Sequence, residues 1–357
     1  MAGPARPRRV HQLRRRPRRA PRSGPAAHLG DGDPHRGPHR PGPAGFRGRE
    51  IEVGLTGATG HLGTCLLDRL VHDPAVNAIR SVARRPLPER DKVHHVCADL
   101  RDPAAGRHLE GVDVLWHLGF QLWRRRRDPG GRGAAEVNLA GTASVLAARP
   151  GHVVLASSAS VYGAWADNPL PIPEAHPPRP NPECPYAGQK LEAERMCAEA
   201  APTAALRIVA VLGPHADPMV RRAAMGYRRA VPAVRGARQA LQFLHEDDAA
   251  EALHRAGTMR ATGVINVATP DWLTEGEVAR VTGGRVVRVP RRVLLGLAEG
   301  AWRAGLVGFG ADRAVLISGP LALDGSRAAE VLGWAATTGS AAVLAGFVAR
   351  PAQSRRS

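Results

Sequence analysis

From about residue 50 the chain alternates short apolar runs with helical stripes. The first run, 51–55, leads into glycines and then into Leu62, Leu66, Leu67 and Leu70, spaced as one face of a helix. This predicts a strand, a tight turn and a helix. Further apolar runs predict strands at 79–83, 93–97, 112–117, 153–157 and 206–212, with helical stretches between most of them. Such alternation predicts a parallel sheet covered on both faces. After about residue 212 the strands thin out, and helices at 247–256 and 291–304 mix with a short strand at 264–267. That pattern predicts a smaller lobe over the strand ends.

Residues 1–48 carry no such pattern. They are dominated by Arg, Pro, Gly and Ala, with almost nothing to bury, and are expected to be a disordered tail. No apolar segment follows the basic run 14–19, so no export signal is expected. No stretch reaches the eighteen or so uncharged apolar residues of a membrane span. The composition, 43% hydrophobic and 23% charged, is that of a globular chain.

Fifty basic residues against 32 acidic ones give a net charge of +18, which invites a nucleic-acid reading. The first 50 residues, however, hold thirteen arginines against Asp31, Asp33 and Glu50, so more than half of the excess is in the tail. Nucleic acid is therefore an unlikely partner, and an N-terminal extension that is not native competes evenly with a real tail. The four cysteines form no Cys-x-x-Cys pair and have no histidine nearby at ligand spacing. Buried thiols in a reducing cytoplasm, and no metal site, are the expectation.

Glycines at 57, 60 and 63, within Thr56 to Gly63, lie between the first strand and its helix. There the backbone amides of Gly57, Thr59, Gly60, His61, Leu62 and Gly63 can approach a pyrophosphate at the helix N-terminus. The second strand ends in Arg84 and Arg85 where a ribose-binding acid would otherwise stand. Guanidinium groups suit a 2′-phosphate, so NADP is the expected cofactor ahead of NAD, with two solvated arginines as the plain alternative. Asp99, followed by Leu100, ends the third strand where an adenine amino group could be accepted, and would serve equally as a turn residue.

Tyr186 and Lys190 stand four residues apart, which puts phenol and ammonium on one helix face. A nearby cation stabilises the phenolate and makes tyrosine a usable acid or base. With three tyrosines and two lysines in 357 residues, about 0.02 such pairs are expected by chance. Upstream, the strand 153–157 runs into Ser158 and Ser160, placing hydroxyls at the carboxyl end of a central strand, the edge where α/β sheets bind ligands.

Together these residues resemble the extended short-chain dehydrogenase/reductase family, also called the NAD-dependent epimerase/dehydratase family, over residues 50 to about 340. The resemblance implies that Gly57, Gly60 and Gly63 bind the dinucleotide, that Asp99 contacts adenine, and that His117, Leu118 and Gly119 run beside the cofactor. Asn138, Gly141 and Thr142 match the family's Asn-x-x-Gly-Thr helix. By the same resemblance Ser158 is the catalytic hydroxyl, Tyr186 the acid/base and Lys190 its partner. The implied fold is α/β, a doubly wound parallel-sheet Rossmann fold with a smaller interleaved C-terminal α/β substrate lobe. Its expected divisions are the 1–48 tail, a 49–212 NAD(P)-binding domain and a 213–350 lobe.

The departures narrow the expected reaction. Ala159 and Ser160 replace the Asp-Glu pair of the family's dehydratases, and Ala210 stands where its nucleotide-sugar epimerases carry asparagine. The leading expectation is a ketone or aldehyde reductase acting on a small carbonyl or alcohol, in a possible homodimer. A sugar or nucleotide-sugar epimerase and a non-catalytic NADP-binding sensor are the alternatives. The basic run 124–127 is expected to be a solvated loop, and the apolar stripe of 291–304 to be core.

Overall fold

Every residue of strand β1 (Ile51–Thr56) except Glu52 is buried, the signature of a strand covered on both faces. It is followed by β2 (Val76–Ala83), β3 (Val93–Cys97), β4 (Val114–His117), β5 (Val153–Ser158) and β6 (Thr203–Ile208). Beyond them lie β7 (Ala210–Leu212), β8 (Ala230–Val234), β9 (Phe243–His245), β10 (Gly263–Val267) and β11 (Arg285–Val289). The helices are α1 (His61–His72), α2 (Pro103–His108), α3 (Arg132–Leu146), α4 (Pro185–Ala200), α5 (Pro218–Gly226), α6 (Glu246–Thr258), α7 (Glu275–Thr282), α8 (Arg291–Arg303), α9 (Ala311–Ala314), α10 (Ser326–Leu332) and α11 (Ser340–Ala349). This computed structural model describes residues 50–124, 126–128 and 130–349, which fall within a unit spanning Pro43–Ser357. The tail expected over 1–48 lies outside the described residues. No helix among the described residues is long and apolar enough to cross a membrane.

The main sheet has seven strands in the order β10-β6-β5-β4-β1-β2-β3, and every neighbouring pair is parallel. From β1 the chain winds outward to β3, then returns to β4 and winds the other way. This is the Rossmann arrangement, and the point of reversal between β1 and β4 opens a crevice at the carboxyl ends of the strands. Alternate residues on β5 go to opposite faces. Val154 and Ala156 join the core that contains Leu66 of α1 and Leu253 of α6, while Val153 and Leu155 pack with Ala193 and Cys197 of α4. Trp116 on β4 anchors α6 by donating its indole N–H to the Leu253 carbonyl at 2.8 Å. Gly257 makes room for that ring, since a Cβ there would lie 2.0 Å from it.

Two small parallel sheets, β7 with β9 and β8 with β11, build the lobe around Phe243, Val278, Leu344 and Phe347. The apolar run expected to be one strand at 206–212 is two: β6 stays in the main sheet and β7 starts the lobe. Between them Val209 still donates to Val267 of β10 at 3.2 Å, so the chain peels away only after the sheet's last hydrogen bond. The stripe on α8 is only partly core. Leu294 and Trp302 are buried, whereas Leu297 is 65% exposed. Arg124, expected in a solvated loop, is instead packed between Glu299 and Asp312, with its guanidinium 2.9 Å from each carboxylate and stacked over Trp302.

Candidate active site

The turn after β1 brings backbone very close to backbone. Gly57 has a φ of +75° and a Cβ there would lie 2.8 Å from the Gly119 nitrogen. A Cβ at Gly63 would come within 2.0 Å of the Gly57 carbonyl, so only glycine lets α1 start so tightly against the turn. Gly60 caps α1 without any side-chain hydrogen bond, and no acid stands in the first turn. The N-terminal amides therefore face the crevice beneath a favourable dipole, a fit for the pyrophosphate of a dinucleotide. Thr56 completes the floor: its Oγ1 accepts from the amides of Leu118 and Gly119 at 3.1 and 2.9 Å.

A cavity of about 1600 Å³ runs from this loop into the lobe. Its lining includes Gly57, Thr59, Gly60, His61, Leu62, Gly63, Arg84, Arg85, Asp99, Leu100, Leu118, Gly119, Ser158, Tyr186 and Lys190, so nearly every candidate residue meets in one space. His117 is the exception. It is buried below the floor, with Nδ1 2.8 Å from Thr56 Oγ1 and Nε2 3.0 Å from Thr142 Oγ1, bracing β1, β4 and α3. Burial, helped by the charge of Lys190, pushes its imidazole down to about 3, which leaves it neutral. Asp99 lines the cavity with its carboxylate held by Arg101 at 3.0 and 3.1 Å.

At the sheet edge the two serines of β5 part company. Ser157 points into the protein and donates to Glu194, which is paired with Arg207 at 2.7 Å in a buried ion pair. Ser158 lines the cavity and accepts from the Ser160 hydroxyl at 2.9 Å. Lys190 is almost wholly buried. Its Nζ donates to the Ala156 carbonyl at 2.6 Å and sits 3.6 Å from the centre of the Phe120 ring. Burial lowers its pKa to about 7. The Tyr186 phenol is pushed up to about 12 by burial, against which the charge of Arg313 and the neighbouring Ser158 hydroxyl act.

The cation closest in effect to the phenol is thus one that sequence reasoning missed. Arg313, on α9, lies 4.5 Å from the centre of the Tyr186 ring and donates to the Leu122 carbonyl. No motif could have picked it from among 48 arginines. Arg221, on α5, is a second such residue: it lines the lobe end of the cavity, and its Nη1 is buried without a hydrogen-bond partner among the described residues. Asn138 joins α3 to α4 by donating to Gln189 at 2.7 Å, between Tyr186 and Lys190 in sequence.

The sequence model of the NAD dependent epimerase/dehydratase family matches residues 53–268. The chain belongs to that family. It is accordingly an NAD(P)-dependent oxidoreductase or epimerase of the extended short-chain dehydrogenase/reductase type. An uncharacterised protein of Mycobacterium tuberculosis is 28% identical over 254 residues, covering 66% of this chain and 67% of its own. Among solved structures, MoeE5 in complex with UDP-glucose and NAD is 26% identical with a TM-score of 0.63, covering 84% of this chain and 97% of its own. The UDP-glucose 4-epimerase of Thermus thermophilus in complex with NAD shares the fold at 20% identity and a TM-score of 0.62, with coverages of 84% and 98%.

The expected preference for NADP is corrected by these structures. The cofactor held in MoeE5 and in the Thermus enzyme is NAD. The arginines that suggested a 2′-phosphate have another account in this chain. Both are exposed, and Arg85 donates its guanidinium to the Thr59 carbonyl, strapping the end of β2 to the glycine turn.

Proposed function

We propose that the protein is an NAD-dependent enzyme acting on a secondary carbinol of a nucleotide-linked sugar, and that it inverts that carbon by oxidation followed by return of hydride to the other face. The observation that carries this reading is the single cavity running from the glycine turn past Ser158 and Tyr186 to Arg221. At about 1600 Å³ it exceeds the roughly 300–1000 Å³ of an ordinary single-ligand pocket, and suits a dinucleotide beside a second large ligand. MoeE5, the structure at 26% identity, holds that pair of ligands, UDP-glucose and NAD. These findings favour an epimerase over the ketone or aldehyde reductase expected from sequence.

Bound NAD supplies the hydride acceptor and donor. Tyr186 takes the proton of the substrate hydroxyl while Ser158 hydrogen-bonds the same oxygen, and on return Tyr186 gives the proton back. Lys190, fixed on the Ala156 carbonyl, positions the cofactor's ribose. Ala210 is exposed where an asparagine was expected for nucleotide-sugar binding. Arg221, whose guanidinium stands over the Phe347 ring at the lobe end of the same cavity, replaces that anchor with a charged one for the diphosphate while the keto-sugar turns over in the wide cavity.

The test is to incubate the protein and its Tyr186→Phe variant with NAD and UDP-linked glucose, galactose or glucuronic acid, and to follow the sugar by NMR. Appearance of an epimer without accumulating NADH, falling about 100- to 10,000-fold in the variant, is the expected result. Reduction of simple ketones with no turnover of any UDP-sugar would sink the proposal.

A further inference from the structure

Away from Ser158 and Tyr186, one turn into α1, three side chains from distant parts of the chain converge on a point at the edge of the cavity. Cys65 Sγ lies 3.6 Å from His215 Nδ1 across 150 residues of sequence, and His215 Nδ1 lies 2.6 Å from Glu246 Oε1. The three ligand atoms fall within 4.8 Å of one another. We propose that Cys65, His215 and Glu246 form a binding site for one zinc-class divalent cation, with His61 holding the Glu246 carboxylate from behind.

The donor set and its spacing support this. Thiolate, imidazole and carboxylate together are the ligands of zinc. With Zn–S of about 2.3 Å and Zn–N of about 2.0 Å, a sulfur and a nitrogen on one tetrahedral ion stand about 3.5 Å apart, close to the 3.6 Å between Cys65 and His215. A nitrogen and an oxygen on the same ion stand about 3.3 Å apart, so Glu246 has to retreat by roughly 0.7 Å on exchanging its hydrogen bond for the ion.

The hydrogen bonding without an ion is over-subscribed. His215 Nδ1 offers either one hydrogen or one lone pair, yet it faces both the Glu246 carboxylate and the Cys65 thiol. If Nδ1 donates to Glu246 it has nothing with which to accept the thiol proton. One cation shared by sulfur, nitrogen and oxygen removes that conflict, the thiol proton passing to solvent as the ion binds.

The surroundings are built for the purpose. His61 Nε2 stands 2.6 Å from Glu246 Oε2, the oxygen that the ion would not use, and so sets the carboxylate's direction. Gly213 gives the carboxylate its space, since a Cβ there would lie 2.2 Å from Glu246 Oε2. Cys65 and Glu246 are buried, while the His215 side chain is 51% exposed and leaves an entry path. Three protein ligands leave the fourth position to water. The ion would tie α1, the helix that begins at the glycine turn, to the start of α6 and to the turn after β7.

Cobalt(II) is the probe. Tag-free, chelator-treated protein titrated with cobalt should take up one ion per chain, with a thiolate-to-cobalt charge-transfer band and the intense visible bands of tetrahedral cobalt. Added zinc should bleach them and raise the thermal unfolding midpoint. Cys65→Ser should abolish the charge-transfer band, while Cys197→Ser, at a buried thiol far from the site, should keep it. If Cys65→Ser does not fold, His215→Ala, at a half-exposed side chain, must weaken uptake at least tenfold. Absence of stoichiometric uptake by the wild-type protein, or a charge-transfer band that survives Cys65→Ser, overturns the proposal.

Discussion

The guanidinium of Arg313 lies 4.5 Å from the centre of the Tyr186 ring. The two residues come from opposite parts of the molecule, α4 on the Rossmann side and α9 in the lobe. Lys190, the cation that the sequence pairs with Tyr186, is 5.8 Å from that ring and is spent on the Ala156 carbonyl and on the face of Phe120. The tyrosine is therefore flanked by two cations with different duties. Lys190 is buried and fixed to the main chain, while Arg313 acts on the phenol through its charge.

The pH dependence of turnover should report Arg313. Burial pushes the Tyr186 phenol up to about 12 and Arg313 works in the opposite sense. A phenolate is needed to accept the substrate proton, so Arg313→Leu should move the rise of kcat/KM to higher pH. Arg313→Lys, which keeps the charge, should restore part of the shift. An identical profile in wild type and Arg313→Leu would show that the guanidinium has no hold on the phenol.

Lys190 should leave its mark on stability. Its folded pKa is lowered to about 7 by burial, against an ordinary 10.5. Between these values the unfolded chain binds the proton and the folded chain does not, so stability rises with pH across that window. Below about 7 the folded protein must carry a buried ammonium, and that contribution is lost. Lys190→Met removes the titration. Urea unfolding should then show the variant gaining most over wild type near the lower end of the window, with the difference shrinking towards the upper end. A difference independent of pH would contradict the lowered pKa.

What was legible in the sequence is what is local. The glycines at 57, 60 and 63 and the pair Tyr186 and Lys190 are set by the period of one turn or one helix, and all five line one cavity. The division of 206–212 into β6 and β7 left no trace, because the residues on both sides of Val209 are apolar, and the chain leaves the main sheet only after Val209 has made its hydrogen bond to β10. Arg313, Arg221 and the Cys65–His215–Glu246 cluster are brought in by the packing of the lobe. No periodicity marks one arginine among 48, and no ligand spacing marks a cysteine and a histidine that are 150 residues apart. Arg84 and Arg85 misled for the opposite reason. Their position matched a cofactor role, but Arg85 is spent on the Thr59 carbonyl.

Arg124 offers a test of whether the lobe positions Tyr186's second cation. Its guanidinium binds Glu299 of α8 and Asp312 of α9, each at 2.9 Å, and Asp312 is the neighbour of Arg313 in sequence. The other oxygen of Asp312 lies 3.8 Å from Arg313 Nε. Arg124 thus pins α9 at the place from which Arg313 reaches over the ring. Removing it should loosen Arg313 and lower kcat while NAD affinity, which depends on the glycine turn, stays as it was. If the two arginines act in series, Arg124→Ala should cost little once Arg313→Ala is present, a coupling of about 0.5–3 kcal/mol in a double-mutant cycle. Strictly additive losses would mean that Arg124 closes the lobe without setting the geometry above Tyr186, and the clamp would then be a matter of stability alone.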